Sequence, residues 1–259
     1  METELKGKGA LVSGASRGIG KGIALALARE GCSLAICARE QGPLEEAASE
    51  LAEAGAPQVF ARTLDVTDRE AAEPFVAAAV EELGRLDVLV NNVGGNRRKS
   101  FEETTDEDWD DLLELNLLSA LRLSRLAIPE MRKAGGGAIT FISSIFGREA
   151  GGAGLSLYNV TKTAMISAAK IMAMELASEG IRVNSVAPGS IRFPGGSWDR
   201  RVKEDPEGMA EFISANLPLG RFGTVEEVAN LVVFLSSPQA GLITGACIPA
   251  DGSQGRSLI

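Results

Sequence analysis

Histidine is absent from these 259 residues, cysteine occurs three times, and a single tyrosine stands within an aromatic content of 5%. Without histidine there is no Ser-His-Asp hydrolysis and no histidine-ligated zinc. Three cysteines are too few for an all-cysteine zinc site, so no metal is expected. Cys32, Cys37 and Cys247 lack CxxC spacing, and Cys32 and Cys37 flank or occupy an expected strand, the setting of reduced, buried thiols; no disulfide is expected. No apolar run approaches about 18 residues, and the opening Met1-Glu2-Thr3-Glu4-Leu5-Lys6 lacks the basic-then-apolar order of a secretory signal. No membrane is expected as a partner, and the location expected is cytoplasmic. Positive charge is also in deficit: 26 Lys and Arg face 35 Asp and Glu, for a net charge of -9. Nucleic acids and anionic membrane surfaces select basic proteins, so neither is an expected partner. Acid-base chemistry falls to Tyr, Lys, Asp or Glu.

What the chain does have is alternation. Short apolar runs at 9–13, 33–38, 59–65, 86–91, 138–143, 182–187 and 246–249 read as strands, separated by amphipathic stretches at 18–30, 43–54, 68–83, 106–131, 156–179 and 224–235 that read as helices. Repeated βαβ units imply an α/β fold: a three-layer, doubly wound, Rossmann-type parallel sheet of about seven strands, one domain over 1–259. Thr67 or Asp68 is positioned to cap the third helix and Thr105 or Asp106 the fourth, and Thr224 with Glu227 forms a capping box. Gly31, Gly55, Gly84 and Gly180 follow helices where a left-handed residue is needed. The irregular stretch 188–205, rich in Gly, Pro and Arg, is too long for a simple connection and reads as a substrate loop or lid spanning about 188–215.

The tyrosine is Tyr158, four residues before Lys162, so on a helix the phenol and the ammonium share a face. A phenol of pKa about 10 becomes a usable proton donor when a neighbouring cation favours the phenolate. Taken alone, the pair also fits a half-buried helix residue beside a lysine. After the first strand comes Ser13-Gly14-Ala15-Ser16-Arg17-Gly18-Ile19-Gly20, a G-x-x-x-G-x-G turn whose glycines let backbone amides approach a pyrophosphate. Glycine turns of this kind also occur in βα units that bind nothing. The second strand ends Ala38-Arg39-Glu40: no carboxylate stands at the strand end for a ribose hydroxyl, and Arg39 with Arg17 suits a 2′-phosphate, pointing to NADP. If Glu40 faces the ribose instead, NAD is preferred.

Together these residues resemble the short-chain dehydrogenase/reductase family over essentially the whole chain, nearest the 3-oxoacyl-acyl-carrier-protein reductases and sugar dehydrogenases. The further marks are Asp65-Val66, Asn91-Asn92-Val93-Gly94, Asn116, Ser143-Ser144, Pro188-Gly189, Gly220 to Val228, Thr244-Gly245 and Asp251-Gly252. The resemblance implies an NADP-dependent oxidoreductase acting on a carbonyl or secondary alcohol, with NAD on a sugar or cyclic alcohol as the alternative, or a protein that senses nucleotide without turnover. It implies that Tyr158 transfers the proton and that Lys162 lowers its pKa and binds the nicotinamide ribose. Ser144 then orients the substrate oxygen, and Asn116 anchors a water in a proton relay. Gly14, Ser16, Arg17, Gly18, Ile19, Gly20, Arg39, Asp65, Val66, Asn92, Gly94, Pro188, Gly189 and Ile191, with Tyr158 and Lys162, would hold the dinucleotide. Family members usually form homotetramers through the fourth and fifth helices and the last strand.

Two residues depart from the family pattern. Phe193 stands where a threonine is frequent, and Glu179 stands where carrier-protein reductases place a basic residue, which weakens the carrier-protein substrate. For the substrate itself, Gly95 and Trp198 fall on loops expected at the carboxyl edge of the sheet. Arg97, Arg98, Arg148 and Arg192 fall on the same loops, which suggests an anionic small molecule.

Overall fold

The computed structural model describes residues 2–258. Strands β1 (Gly9–Ser13), β2 (Ser33–Ala38), β3 (Val59–Thr63), β4 (Val88–Asn91), β5 (Gly137–Ile142), β6 (Ile181–Pro188) and β7 (Cys247–Ala250) form one sheet in the order β3-β2-β1-β4-β5-β6-β7, every pair parallel. The helices are α1 (Gly18–Arg29), α2 (Gln41–Glu53), α3 (Ala72–Leu83), α4 (Asp106–Leu113), α5 (Ser119–Lys133), α6 (Ser156–Leu176), α7 (Ser197–Glu204), α8 (Pro206–Asn216) and α9 (Val225–Ser236). Alternate strand residues face opposite layers. Val12, Leu34 and Ile36 pack with Ile23, Leu27, Leu44, Leu51 and Val232 from α1, α2 and α9. Leu11, Leu89, Ile139 and Phe141 pack with Phe75, Leu123 and Met165 from α3, α5 and α6. The chain runs outward from β1 to β3 and resumes at β4 on the other side of β1. This reversal opens a crevice at the carboxyl ends of the strands.

The sheet, its seven strands and the helices that cover both faces match the expectation, and four details differ. The stretch 106–131 is not one helix: α4 and α5 are joined by a π-helical turn, Glu114–Leu118, that carries Asn116. Helix α3 starts at Ala72 because the Asp68 carboxylate takes the Glu70 and Ala71 N–H groups in a turn of its own. Strand β3 ends at Thr63, not at 65. The stretch 188–205 contains α7, whose sequence SWDRRVKE has too little apolar character to announce a helix, and the expected loop beyond it to 215 is taken up by α8. The Thr105 cap and the Thr224–Glu227 capping box are present, and Gly31, Gly55, Gly84 and Gly180 all have positive φ.

Candidate active site

The crevice at the carboxyl edge is a cavity of ≈ 1230 Å³. Its floor is the turn between β1 and α1. Gly14 N and Ala15 N both donate to Cys37 O (2.8 and 3.2 Å), and Asn92 Nδ2 donates to Ser13 O and Gly14 O (3.0 and 3.1 Å), so the turn is held from both neighbouring strands. Gly14 has φ +67°, and a Cβ on Gly20 would lie 2.3 Å from Gly14 O; neither position admits a side chain. Beyond the end of β2, Arg39 and Glu40 are both exposed, and Arg39 makes no ion pair among the described residues. Asp65 is burdened by burial, yet bonds from the Thr67 N–H and hydroxyl, with Arg39 nearby, keep its carboxyl below the usual range.

At the other end, α6 presents Tyr158 and Lys162. Ser144 follows β5, its Oγ accepting from Phe146 N (3.2 Å). Asn159, next to Tyr158, donates to Phe146 O and Glu149 O and accepts from Gly151 N, which fastens the loop after β5 to α6 and sets Ser144 against Tyr158. Burial pushes the Tyr158 phenol above its ordinary value, opposed by its hydrogen bond with Ser144. The lowering expected from Lys162 is not seen. Its Nζ donates to Ile142 O at 2.8 Å and lies 5.8 Å from the Tyr158 ring centroid, over the ring instead of beside the hydroxyl. Burial brings the Lys162 ammonium down to about 8. A phenol held protonated beside a serine hydroxyl is a proton donor awaiting an acceptor.

Asn116 is fully buried and does not reach the cavity. Its Oδ1 accepts from Gly95 N (2.7 Å), and its Nδ2 donates to Gly95 O (3.0 Å) and Thr161 Oγ1 (2.9 Å). It stitches the π turn to α6 and to the loop after β4. Ser143 also lines the cavity, but its hydroxyl donates to Lys162 O at 3.3 Å.

Every residue expected to meet the dinucleotide lines the cavity except Ile191, whose side chain is buried while its backbone bridges Gly223. Of the residues expected around the substrate, Gly95, Arg98 and Trp198 line the cavity; Arg97, Arg148 and Arg192 do not. Arg97 pairs with Asp108 and Asp111, Arg192 with Asp199, and Arg148 donates to Cys247 O. Their cations are spent on the frame of the cleft. Among the lining residues not anticipated are Arg201, Phe212, Gln254 and Arg256, supplied by α7, α8 and the C-terminal segment. Trp198 stacks on Phe212 (4.8 Å) and contacts Phe222 (5.2 Å), which fixes the wall formed by α7 and α8. Phe193 lies so close to Gly18 that a Cβ there would be 2.7 Å from its ring.

Residues 14–253 match the family model described as enoyl-(acyl carrier protein) reductase. The chain belongs to the short-chain dehydrogenase/reductase family. It is 37% identical over 248 residues to a 3-oxoacyl-acyl-carrier-protein reductase of Thermotoga maritima, covering 96% of this chain and 98% of that one. It is 38% identical over 245 residues to the reductase of the same name from Staphylococcus aureus, covering 95% and 97%. Among solved structures, L-sorbose reductase from Gluconobacter frateurii, complexed with NADPH and L-sorbose, superposes with a TM-score of 0.94 at 34% identity over the full length of both chains. The fold and the oxidoreductase class follow from these relatives. Among the described residues no helix is long and apolar enough to cross a membrane.

Proposed function

We propose that this protein is an NADP-dependent oxidoreductase that interconverts a carbonyl compound and a secondary alcohol. The observation that carries the reading is the join within one cavity: the side-chain-free turn at Gly14–Gly20 lies at one end, and the protonated Tyr158 with Ser144 and Lys162 at the other. The turn suits a pyrophosphate, because Gly14, Gly18 and Gly20 carry no side chain and line the cavity at the start of α1, and Arg17 and Arg39 are exposed where a 2′-phosphate would lie. When bound, the nicotinamide supplies or accepts the hydride. Ser144 orients the substrate oxygen, Tyr158 Oη gives it the proton, and Lys162 stabilises the phenolate left behind. Asn116 keeps Gly95 and Thr161, and through them the approach to Lys162, in place. Both Nδ2 hydrogens of Asn116 are committed, but its Oδ1 accepts only the Gly95 N–H and keeps a second lone pair that a relay water could use.

The segment 188–215 serves as the lid over the substrate, and the protein works in the cytoplasm as a homotetramer. Exposed Val160, Ile171 and Met174 on α6 provide an apolar face for the assembly. NADPH and NADH consumption with a panel of ketones, run beside Tyr158→Phe, tests the reading. Turnover that prefers NADPH and vanishes in the variant is expected; cofactor binding with no turnover on any carbonyl would leave a nucleotide-sensing protein.

A further inference from the structure

At the substrate end of the cleft the charges do not balance. Asp108 is taken by Arg97 and Lys99, and Asp199 by Arg192 and Lys203. Arg98, Arg201 and Arg256 line the cavity, and among the described residues none of them forms an ion pair. The carboxylates lining the cavity are Glu40 and Asp65 at the nucleotide end and Glu149 at the substrate end, where Glu149 accepts from the Arg256 backbone N–H. Three exposed arginines therefore line this end beside one carboxylate, in a protein whose net charge is -9.

The three come from separate elements that are each held. Arg98 lies in the loop after β4, which Lys99 N ties to Gly154 O (3.3 Å). Arg201 on α7 has its Cζ over the Trp198 ring, 4.9 Å from the centroid, and among the described residues its side chain makes no hydrogen bond or ion pair. Arg256 follows Gly255, whose N–H donates to Asp251 Oδ2 (2.8 Å), and the Arg256 N–H itself donates to Glu149 in the loop after Ser144. Phe146, Leu155, Trp198 and Phe212 give the cavity an apolar wall at the same end. Planar guanidinium forks match a carboxylate, and an excess of one sign in a cleft with low-dielectric walls concentrates the opposite charge. Arg17 and Arg39, the cations expected to meet cofactor phosphate, stand at the opposite end.

Building on the oxidoreductase reading, we infer that the substrate is an oxoacid: a carbonyl on an apolar body whose remote carboxylate is read by Arg98, Arg201 and Arg256. In the reductive direction the carbonyl carbon gains a hydride from NADPH and the oxygen gains the Tyr158 proton, yielding the hydroxy acid and NADP⁺. The phenolate is then reprotonated from solvent, and the carboxylate changes no bond.

The probes are 4-acetylbenzoate and its methyl ester, which share the ketone and ring and differ in charge. The acid should exceed the ester in kcat/KM by at least about tenfold. In the Arg98→Ala/Arg201→Ala/Arg256→Ala variant that ratio should fall towards one, and in the wild type it should shrink as salt is raised. Calorimetric titration of NADPH shows whether the variant is folded. Calorimetric titration of both probes into the NADP⁺-loaded protein reads the charge preference even if neither ketone turns over. Acid and ester bound and reduced equally well, or a preference that survives in the triple variant, overturns the inference. Tighter binding of the acid that needs the arginines, without turnover, would uphold it and count against reduction of aryl ketones alone.

Discussion

The two ends of the cleft are held by different means. Under the glycine turn, backbone and buried amides do the holding: Gly14 N and Ala15 N meet Cys37 O, and the Asn92 carboxamide spans Ser13 O and Gly14 O. Across the cleft, the wall formed by α7 and α8 rests on side chains, namely the Trp198, Phe212 and Phe222 cluster and the Asp199 carboxylate shared by Arg192, Lys203 and Gly195 N. A backbone cradle tolerates little change in sequence, since a Cβ at Gly20 has nowhere to go. A wall of side chains can be rebuilt residue by residue, so a change of substrate is expected to be written there first.

Tyr158 stands at the end of the cleft opposite the glycine turn, and its loss is expected to have the largest effect. Tyr158→Phe keeps the ring that packs in α6 and removes the transferable proton, so kcat should fall by about 10²–10⁴, the usual worth of a positioned acid. The dissociation constant for NADPH, measured by fluorescence titration, should stay within about twofold, because the proton and not the ring is lost. A variant retaining a tenth of the activity would move the proton donor elsewhere.

The nucleotide end can be tested by charge. Arg39→Asp removes a donor to a 2′-phosphate and supplies an acceptor for a ribose hydroxyl. A charge-assisted bond is worth about 1.5–3 kcal/mol, or roughly 10–150-fold in the NADPH to NADH preference measured as the ratio of kcat/KM. Equal losses with both cofactors would make Arg39 a structural residue.

A smaller effect, on pH, follows from Lys162. Burial brings its ammonium down to about 8 from the ordinary 10.5, so the charged form dominates below about pH 8 and is lost above it. The Tyr158 phenol is pushed in the opposite sense and stays protonated across that window. For reduction, kcat/KM should therefore be level from pH 6 to near 8 and decline above it, towards about tenfold per unit. A profile flat to pH 10 would show that Lys162 acts through packing and not through charge.

Residues that answer to backbone geometry were legible in the sequence. The glycine turn, Tyr158 four residues before Lys162 and the capping box at Thr224 depend on local spacing, and each lies where that spacing puts it. Pairings across the fold were not. That Arg97 and Lys99 would be consumed by Asp108, or Arg148 by Cys247 O, is decided by how a loop and a helix, or a loop and the last strand, meet. The π turn at Asn116 was hidden because one extra residue inside a continuous apolar period leaves the period readable as a single helix. Helix α7 was hidden because its buried face is held by the carboxylate of Asp199 more than by apolar side chains.

Phe193 belongs to the segment proposed as a lid yet touches the cradle, so it tests how independent the two ends are. Its ring lies between Gly18 and Gly196: a Cβ on Gly18 would be 2.7 Å from it, and one on Gly196 would be 2.9 Å away. Gly18 begins α1, whose first amides are the donors a pyrophosphate would use. A dinucleotide reaching those amides must displace the ring or slide beneath it, giving up contacts that the lid makes with the turn. Phe193→Thr should remove that competition and tighten NADPH by about threefold, near 0.7 kcal/mol, while lowering the melting temperature of the nucleotide-free protein by a few degrees, since the half-buried ring loses its contacts. Calorimetry and thermal unfolding of both proteins decide the matter. Tighter binding together with lower stability would show that lid and cradle share one contact in the free protein. Weaker binding would instead mean that the ring covers the bound nucleotide, so that the lid forms part of the cofactor site as well as the substrate wall.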